Sequence, residues 1–195
     1  MAVAVLVFSA LVDRRLLLLI LAAGLCYLSL PFVASRIGYL LTPEFIASTT
    51  NGGRASRWAL ALIYWSESPL FGVGLGMFGG AVAMQHKIYS AVSYFYVDNY
   101  YLKILVEMGV IGLTVFLLLL VCLLFTGART LYRTAKVQKD RPAYLLGAGL
   151  FSGLCGVVVH CYFENIFEEP YMMAYFWMIA AMLVYLGFFR KKEHA

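Results

Sequence analysis

The chain has 195 residues, of which 63% are hydrophobic and 13% are charged, with a mean hydropathy of +0.85 and a formal net charge of +5. Ordinary soluble domains carry roughly 25% charged residues, so this composition excludes a water-soluble domain. The basic residues lie between apolar runs and not on one polar face, which excludes a nucleic-acid-binding surface. We therefore expect an integral membrane protein whose main partner is the lipid bilayer.

The chain begins with an apolar stretch, residues 1–12, that is too short to cross a bilayer. The basic Arg14 and Arg15 follow this stretch, which is the reverse of the order in a secretory signal peptide. Such a start is typical of the end of an earlier helix. We expect residues 1–195 to form a single membrane domain that is the C-terminal part of a larger fold.

Four later segments are each long and apolar enough to cross about 30 Å of hydrocarbon as a helix. They are residues 16–34, 104–125, 143–163 and 171–189. The predicted fold is therefore all-α, with about four complete transmembrane helices plus an N-terminal partial span.

Charges between these segments set the expected orientation. Residues 127–142 and residues 190–192 are strongly basic, whereas residues 164–170 carry three glutamates. Basic loops stay in the cytoplasm, so residues 127–142 are predicted to form a cytoplasmic loop. Residues 35–100 and 164–170 then lie outside the cell membrane.

The long extracytoplasmic loop, residues 35–100, exceeds the length of a simple connector. Within it, residues 54–66 have apolar side chains at helical spacing together with three aromatic rings, which predicts a short interfacial helix. Pro69 ends that helix. Five glycines predict a turn in which the backbone closely approaches another chain or a ligand: Gly72, Gly74, Gly76, Gly79 and Gly80.

The residues leading into the second span have three expected roles. Lys103 and Glu107, spaced by four, predict an ion pair. Gly109 and Gly112 predict close packing between helices. The neighbouring aromatic residues predict either an interfacial belt or a surface that stacks on sugar rings: Tyr94, Phe95, Tyr96, Tyr100 and Tyr101.

Two runs, GGRASRWALALIYWSESPLFGVGLGMF and DNYYLKILVEMGVIGL, resemble the C-terminal segment of the O-antigen ligase and polysaccharide polymerase superfamily. In that family an Arg four residues before a Trp is followed by Pro-Leu-Phe-Gly-x-Gly-x-Gly. A His-Asn, nine residues, Gly, two residues, Gly motif comes next. The matching positions here are Arg54, Trp58, residues 69–76, Asn99, Gly109 and Gly112. The family's His falls on Asp98, so its role is either taken by Asp98 or lost.

The resemblance implies glycosyl transfer from an undecaprenyl-diphosphate-linked glycan to a sugar hydroxyl on an acceptor glycan or lipid. It places that reaction at the outer face of the bacterial plasma membrane, alongside other polysaccharide-assembly proteins. The diphosphate needs a cation, and arginine binds phosphate oxygens in a bidentate way. Arg54 is the first candidate, and Arg57 points to the same face one helical turn later. Trp58 and Asn99 complete the candidate substrate-binding set. The alternative for both arginines is contact with lipid headgroups.

The reaction also needs a group that accepts or orients the proton of the acceptor hydroxyl. Asp98 holds the family position, with the alternative that it caps a helix together with Asn99. His160 and Glu164 are further catalytic candidates, because a spacing of four places them on one helical face at the outer end of a span. The alternative for His160 is an interhelical hydrogen bond. No acidic or cysteine cluster has the spacing of a metal site, so we expect neither metal nor cofactor.

Two other functions fit the sequence. A flippase or transporter of lipid-linked glycans would carry polar residues through several spans, whereas here they gather at the outer ends. A non-catalytic truncated subunit is consistent with the small number of spans, since members of the family typically have ten or more, and with the Asp98 replacement.

Overall fold

The computed structural model describes residues 1–50, 53–85, 96–137 and 139–188, and the regular structure in these ranges is helical. A π-helical turn, Arg133–Val137, and a 3-10 turn, Ile166–Glu168, lie beside the longer helices. The helices are α1 (Ala2–Val12), α2 (Arg14–Leu28), α3 (Pro31–Leu40), α4 (Pro43–Thr50), α5 (Arg54–Glu67), α6 (Gly80–Gln85), α7 (Tyr100–Tyr132), α8 (Arg141–His160) and α9 (Pro170–Phe188).

Three helices in the described part of the chain are long and apolar enough to cross a membrane: α7 with its continuation to Lys136, α8 and α9. The helices α2 and α3 pass the same test only as a pair, and they are bent by 77° relative to each other. The all-helical fold is thus confirmed for the described residues, with three helices able to span a membrane, or four if the bent pair is one span. The short α1 has 11 residues.

The bent pair corrects the prediction of one continuous span over residues 16–34. Helix α2 ends at Leu28, and Leu30 has an extended backbone that caps the start of α3. Pro31 occupies the first position of α3, where its missing N–H costs no helical hydrogen bond. Proline in the interior of a continuous helix would remove such a bond and clash with the preceding turn. The break therefore follows from Pro31.

The core of the molecule is the three-helix contact of α7, α8 and α9. Phe176 and Leu183 of α9 are buried against Leu120, Leu123 and Leu154 of the other two helices. Small residues allow the helices to approach closely, because side chains of neighbouring helices occupy the space that a Cβ would fill. These residues are Gly127, Gly147 and Gly187.

Helix α1 packs along α8, although the two helices lie far apart in the sequence. The Tyr144 hydroxyl donates a hydrogen bond to the Leu11 carbonyl at 2.5 Å. A Cβ placed on Gly156 would lie 3.0 Å from the Cβ of Ala4. The first residues of the chain are therefore an integral part of the helical unit.

Gly109 breaks α7 instead of packing it against another helix, which corrects its predicted role. Its backbone has φ 68° and ψ −171°, far outside the helical range. The break frees the carbonyls of Val106 and Glu107 from their helical donors. The backbone N–H groups of Val73 and Gly74 donate to these carbonyls at 2.9 and 3.0 Å.

On the other side of the break, residues outside the helix also replace the hydrogen bonds that the second half of α7 lacks. The N–H groups of Val110 and Ile111 donate to the carbonyls of Pro69 and Leu70 at 2.9 and 3.4 Å. Gly72, which the sequence places in a turn, has φ 74° and lies against the backbone of Glu107. Five of the glycines in this turn have positive φ, as a close backbone approach requires: Gly72, Gly74, Gly76, Gly79 and Gly80. Residues 69–74 therefore replace the missing hydrogen bonds of α7.

We expect Gly109→Ala to destabilise the protein by about 1–3 kcal/mol, the cost of a side-chain-bearing residue in this backbone region. Its Cβ would also collide with the Leu70 carbonyl. Gly153→Ala is the matched control, because a Cβ at Gly153 in α8 meets nothing within 4 Å. The measurement is the thermal unfolding midpoint of each variant in detergent. Equal midpoints for the two variants would show that the break at Gly109 is not needed.

Candidate functional site

The candidate site residues lie where the start of α5, residues 96–99 and the end of α8 meet. The Tyr100 N–H donates to the Cys161 carbonyl at 2.8 Å, and the Tyr101 hydroxyl donates to the Val158 carbonyl at 2.6 Å. These bonds hold the start of α7 against the turn that follows α8. Six of the seven residues predicted for catalysis or substrate binding are on these three segments, and the seventh, Glu164, is in the turn after α8.

Asn99 is the N-cap of α7. Its side-chain oxygen accepts hydrogen bonds from the N–H groups of Tyr101 and Leu102 at 3.0 and 3.2 Å, and the residue is buried. Of the two residues considered for capping, Asn99 fills this role, whereas Asp98 does not. The amide oxygen of Asn99 is thus occupied in the structure, which limits what it offers to a substrate.

Asp98 is held in a left-handed backbone conformation, with φ 50°. Asp, Asn and His tolerate this region better than other side chains. Its carboxylate forms an ion pair with Arg57, with Oδ2 2.7 Å from Nη1, and 18% of the Asp98 side chain is exposed. Arg57 also donates to the Tyr96 carbonyl at 3.0 Å. Two predicted site residues, Asp98 and Arg57, are therefore in direct contact.

Arg54 reaches across to the turn after α8, where its Nη2 donates to the Phe163 carbonyl at 3.2 Å. Its guanidinium has five N–H donors. No carboxylate in the described part of the chain pairs with Arg54. Arg54 and Arg57 thus differ: Arg57 is neutralised by Asp98, whereas Arg54 contacts only a carbonyl among the described residues.

Trp58 contacts both of the segments that the two arginines contact. Its indole Nε1 donates to the Val97 carbonyl at 3.0 Å. Its ring lies edge-on to that of Tyr162, with 5.6 Å between centroids. Trp58 therefore links α5 both to residues 96–99 and to the turn after α8.

His160 and Glu164 do not share a helical face. The prediction that placed both on the outer end of one spanning helix was therefore wrong. Helix α8 ends at His160 because the chain turns at Cys161, so Glu164 lies beyond the helix. The Glu164 N–H still donates to the His160 carbonyl at 3.1 Å, which keeps both residues in one turn. Both are exposed beside the carbonyl that receives Arg54. Their catalytic role stays a prediction.

Cys161 in this turn is buried within the helical core. Burial raises the pKa of its thiol to about 12, and its hydrogen bond with the backbone opposes that shift. A thiol with such a pKa stays protonated at neutral pH and is a poor nucleophile. Cys161 is thus a structural residue of the site.

A buried ionic cluster includes Lys103, which lies one helical turn after Asn99 in α7. The ammonium of Lys103 is 2.9 Å from Glu107 and 2.7 Å from Glu168, and each of the three side chains is at most 7% exposed. It also donates to the carbonyls of Phe78 and Gly79, both at 3.2 Å. The predicted pair of Lys103 and Glu107 is confirmed, whereas its third member, Glu168, was missed.

The cluster ties three segments together: α7, the glycine-rich turn and the turn between α8 and α9. Removing one partner of a buried ion pair typically costs about 3–5 kcal/mol, because a charge is left without compensation. Glu168 gave no local signal in the sequence, since its contact with Lys103 joins distant parts of the chain. Lys103 therefore stabilises the frame on which Asp98 and Arg54 are held.

The aromatic residues near the site have two environments. The rings of Tyr100 and Tyr101 contact Phe116, and that of Tyr100 also contacts Phe167, so both tyrosines pack inward. Tyr96 is exposed. Tyr94 and Phe95, like the basic residues 190–192, lie outside the described residues.

In the described part of the chain, no group of three or more His, Cys, Asp or Glu side chains is arranged to hold a metal ion. The site instead combines guanidinium and carboxylate groups at one end of a bundle of membrane-spanning helices. This arrangement defines a helical membrane protein with a polar site at one end of its helices.

The O-antigen ligase family model matches residues 1–117, which is more than half of the 195 residues. The chain therefore belongs to the O-antigen ligase family, as its motifs predicted. The family points to lipid-linked glycan ligase or polymerase activity in a bacterial membrane. No curated protein matches the chain.

Proposed function

We propose that the chain transfers a glycan from undecaprenyl diphosphate to a hydroxyl group of an acceptor glycan or lipid. It acts as a multi-pass protein whose site faces the outside of the bacterial plasma membrane. The observation that carries this proposal is the arginine pair at the start of α5, Arg54 and Arg57, beside Asp98 in a chain of the O-antigen ligase family.

Arg54 binds the diphosphate of the donor in this proposal. Its guanidinium meets only the Phe163 carbonyl among the described residues, so further N–H donors are available for phosphate oxygens. Negative charge grows on the diphosphate as it leaves, and a fixed cation at that point stabilises the transition state. The positive end of the α5 helix dipole favours the same charge.

Arg57 links the donor side of the site to the proton acceptor. A partly exposed ion pair contributes on the order of 1 kcal/mol. That amount is small enough for a phosphate group to compete with Asp98 for Arg57. When a diphosphate takes Arg57, the Asp98 carboxylate gains room to accept a hydrogen bond from the acceptor hydroxyl.

The reaction then follows as an in-line displacement. The acceptor oxygen forms a bond to the anomeric carbon of the donor glycan, while the bond from that carbon to the phosphate oxygen breaks. The bonding electrons leave with undecaprenyl diphosphate. The hydroxyl proton passes to Asp98, with His160 and Glu164 on the neighbouring turn as the other candidate acceptors. The product is the glycosylated acceptor.

We expect Arg54→Ala to lower the transfer rate by about 10²–10³-fold, the usual effect of removing one group that stabilises developing charge. Arg54→Lys should lose less, because it keeps the charge without the bidentate geometry. The measurement is glycan length and accumulated lipid-linked precursor in a complemented strain that lacks the enzyme.

Arg36→Ala is the control for this series, since the Arg36 guanidinium lies over the Phe32 ring in α3. If Arg54→Ala gives normal glycan at normal protein levels, Arg54 does not bind the diphosphate.

A second series tests Asp98. Asp98→Asn should reduce transfer by about 10²–10⁴-fold, because it removes the proton acceptor while keeping the shape of the side chain. Asp98→His should retain substantial transfer, since imidazole is the group that the family uses here. Asn and His both tolerate the positive φ of this position, so backbone strain does not separate the two variants. Equal activity of Asp98→Asn and the unmodified protein in the same complementation assay would remove Asp98 from the reaction.

The orientation of the site is open to a direct test with single cysteines. The four native cysteines are replaced by Ala, and cysteine is introduced at Ala55, an exposed residue beside Arg54, or at Lys139 in the basic loop. A maleimide that cannot cross membranes should label position 55 in intact cells, and position 139 only after lysis. The reverse pattern would place the site in the cytoplasm and end the proposed access to an external donor.

A further inference from the structure

The segment that supplies the missing hydrogen bonds of α7 also carries exposed apolar side chains. We call residues 69–77 the apex loop. They follow α5 and contain the first glycines of the turn that leads to α6. Leu70 is 59% exposed, and Phe71 and Leu75 are each 73% exposed. Large apolar side chains at such exposure in one short loop need an apolar environment.

The hydrogen bonds between the apex loop and α7 determine how deep the loop lies in the membrane. Beyond the break at Gly109, α7 with its continuation runs from Val110 to Lys136, which is 27 residues or about 40 Å at 1.5 Å per residue. The hydrocarbon core is only about 30 Å thick, or about 20 residues of helix. Counting back about 20 residues from the basic Arg129 reaches Gly109, where the apex loop is bonded. The loop therefore lies at the edge of the hydrocarbon that is opposite to Arg129.

Part of the apex-loop backbone is hydrogen-bonded within the protein. Hydrocarbon offers no hydrogen bonds, so irregular backbone at that depth must be satisfied by protein. The N–H groups of Gly72, Val73 and Gly74 all donate to carbonyls, at 2.8 to 3.0 Å. The carbonyls of Pro69 and Leu70 accept from the second half of α7.

The exposed side chains of the loop continue an apolar face of α7. Val110 and Ile111, which are bonded to the loop, are 41% and 47% exposed, and Val115 one turn further along is 62% exposed. On the other side, the exposed Glu67 and the partly exposed Ser68 precede the loop and suit the polar headgroup layer. Exposed apolar side chains thus occur both on the loop and on the part of α7 that is bonded to it.

We infer that the apex loop is a re-entrant membrane anchor, with Leu70, Phe71 and Leu75 inserted among the acyl chains of the leaflet nearest the candidate site. The occupant of this surface is bilayer lipid, since it already surrounds the face of α7 that the loop continues. The inference does not rest on glycosyl transfer, and it applies whichever way the chain is oriented.

Site-directed spin labelling tests the anchor. A nitroxide is attached to single cysteines at Phe71, Leu75, Val115 and Ala55 in the cysteine-free chain, which is reconstituted in phospholipid nanodiscs. Collisions with molecular oxygen, which concentrates in hydrocarbon, are compared with collisions with a water-soluble nickel chelate. Positions 71 and 75 should have an oxygen-to-nickel ratio close to that of lipid-facing position 115 and several-fold above that of position 55.

Two results would overturn the inference. High nickel accessibility at positions 71 and 75 would place the loop in water. Low accessibility to both reagents would show that protein covers the loop, either a second copy or another segment.

A measurement on the unmodified chain covers the case in which a cysteine variant does not fold. Hydroxyl radicals modify exposed aromatic rings in water, and Phe163 at the candidate site is 48% exposed, against 73% for Phe71. In native membranes Phe71 should react several-fold more slowly than Phe163, despite its greater exposure in the isolated chain. Phe71 reacting as fast as Phe163 would refute the anchor.

Discussion

At Gly109 the backbone of α7 leaves the helical range, and residues 69–74 supply the hydrogen bonds that the helix loses there. In a membrane protein an unsatisfied carbonyl or N–H group costs several kcal/mol, so the break and the loop depend on each other. This dependence fixes the end of α5 against α7. It consequently fixes the distance between the arginines at the start of α5 and Asp98.

The two arginines at the candidate site have different surroundings, although they lie one helical turn apart. Arg57 is paired with Asp98, and Arg54 donates to the Phe163 carbonyl. A carbonyl carries only a partial charge, so Arg54 keeps most of its positive potential for an anionic ligand. Among the described residues, therefore, Arg57 is paired with a carboxylate and Arg54 is not.

The sequence predicted what depends on local spacing. The lengths and spacing of apolar residues predicted the spans over α7, α8 and α9 and the helix after Gly53. The spacing of four residues predicted the pair of Lys103 with Glu107. Predictions failed where distant segments decide. Glu168 joins Lys103 through the tertiary fold, and Gly109 is non-helical because the apex loop replaces its neighbours' helical partners. The end of α8 at His160 likewise leaves Glu164 outside the helix.

The site also crosses the boundary of the family match. The matched region ends at residue 117, yet Arg54 and Trp58 have partners at residues 162 and 163, and Tyr100 bonds to Cys161. A chimaera that took only residues 1–117 from another family member would combine that member's arginines with the turn of this chain. The turn that joins α8 to α9 is therefore a structural part of the candidate site.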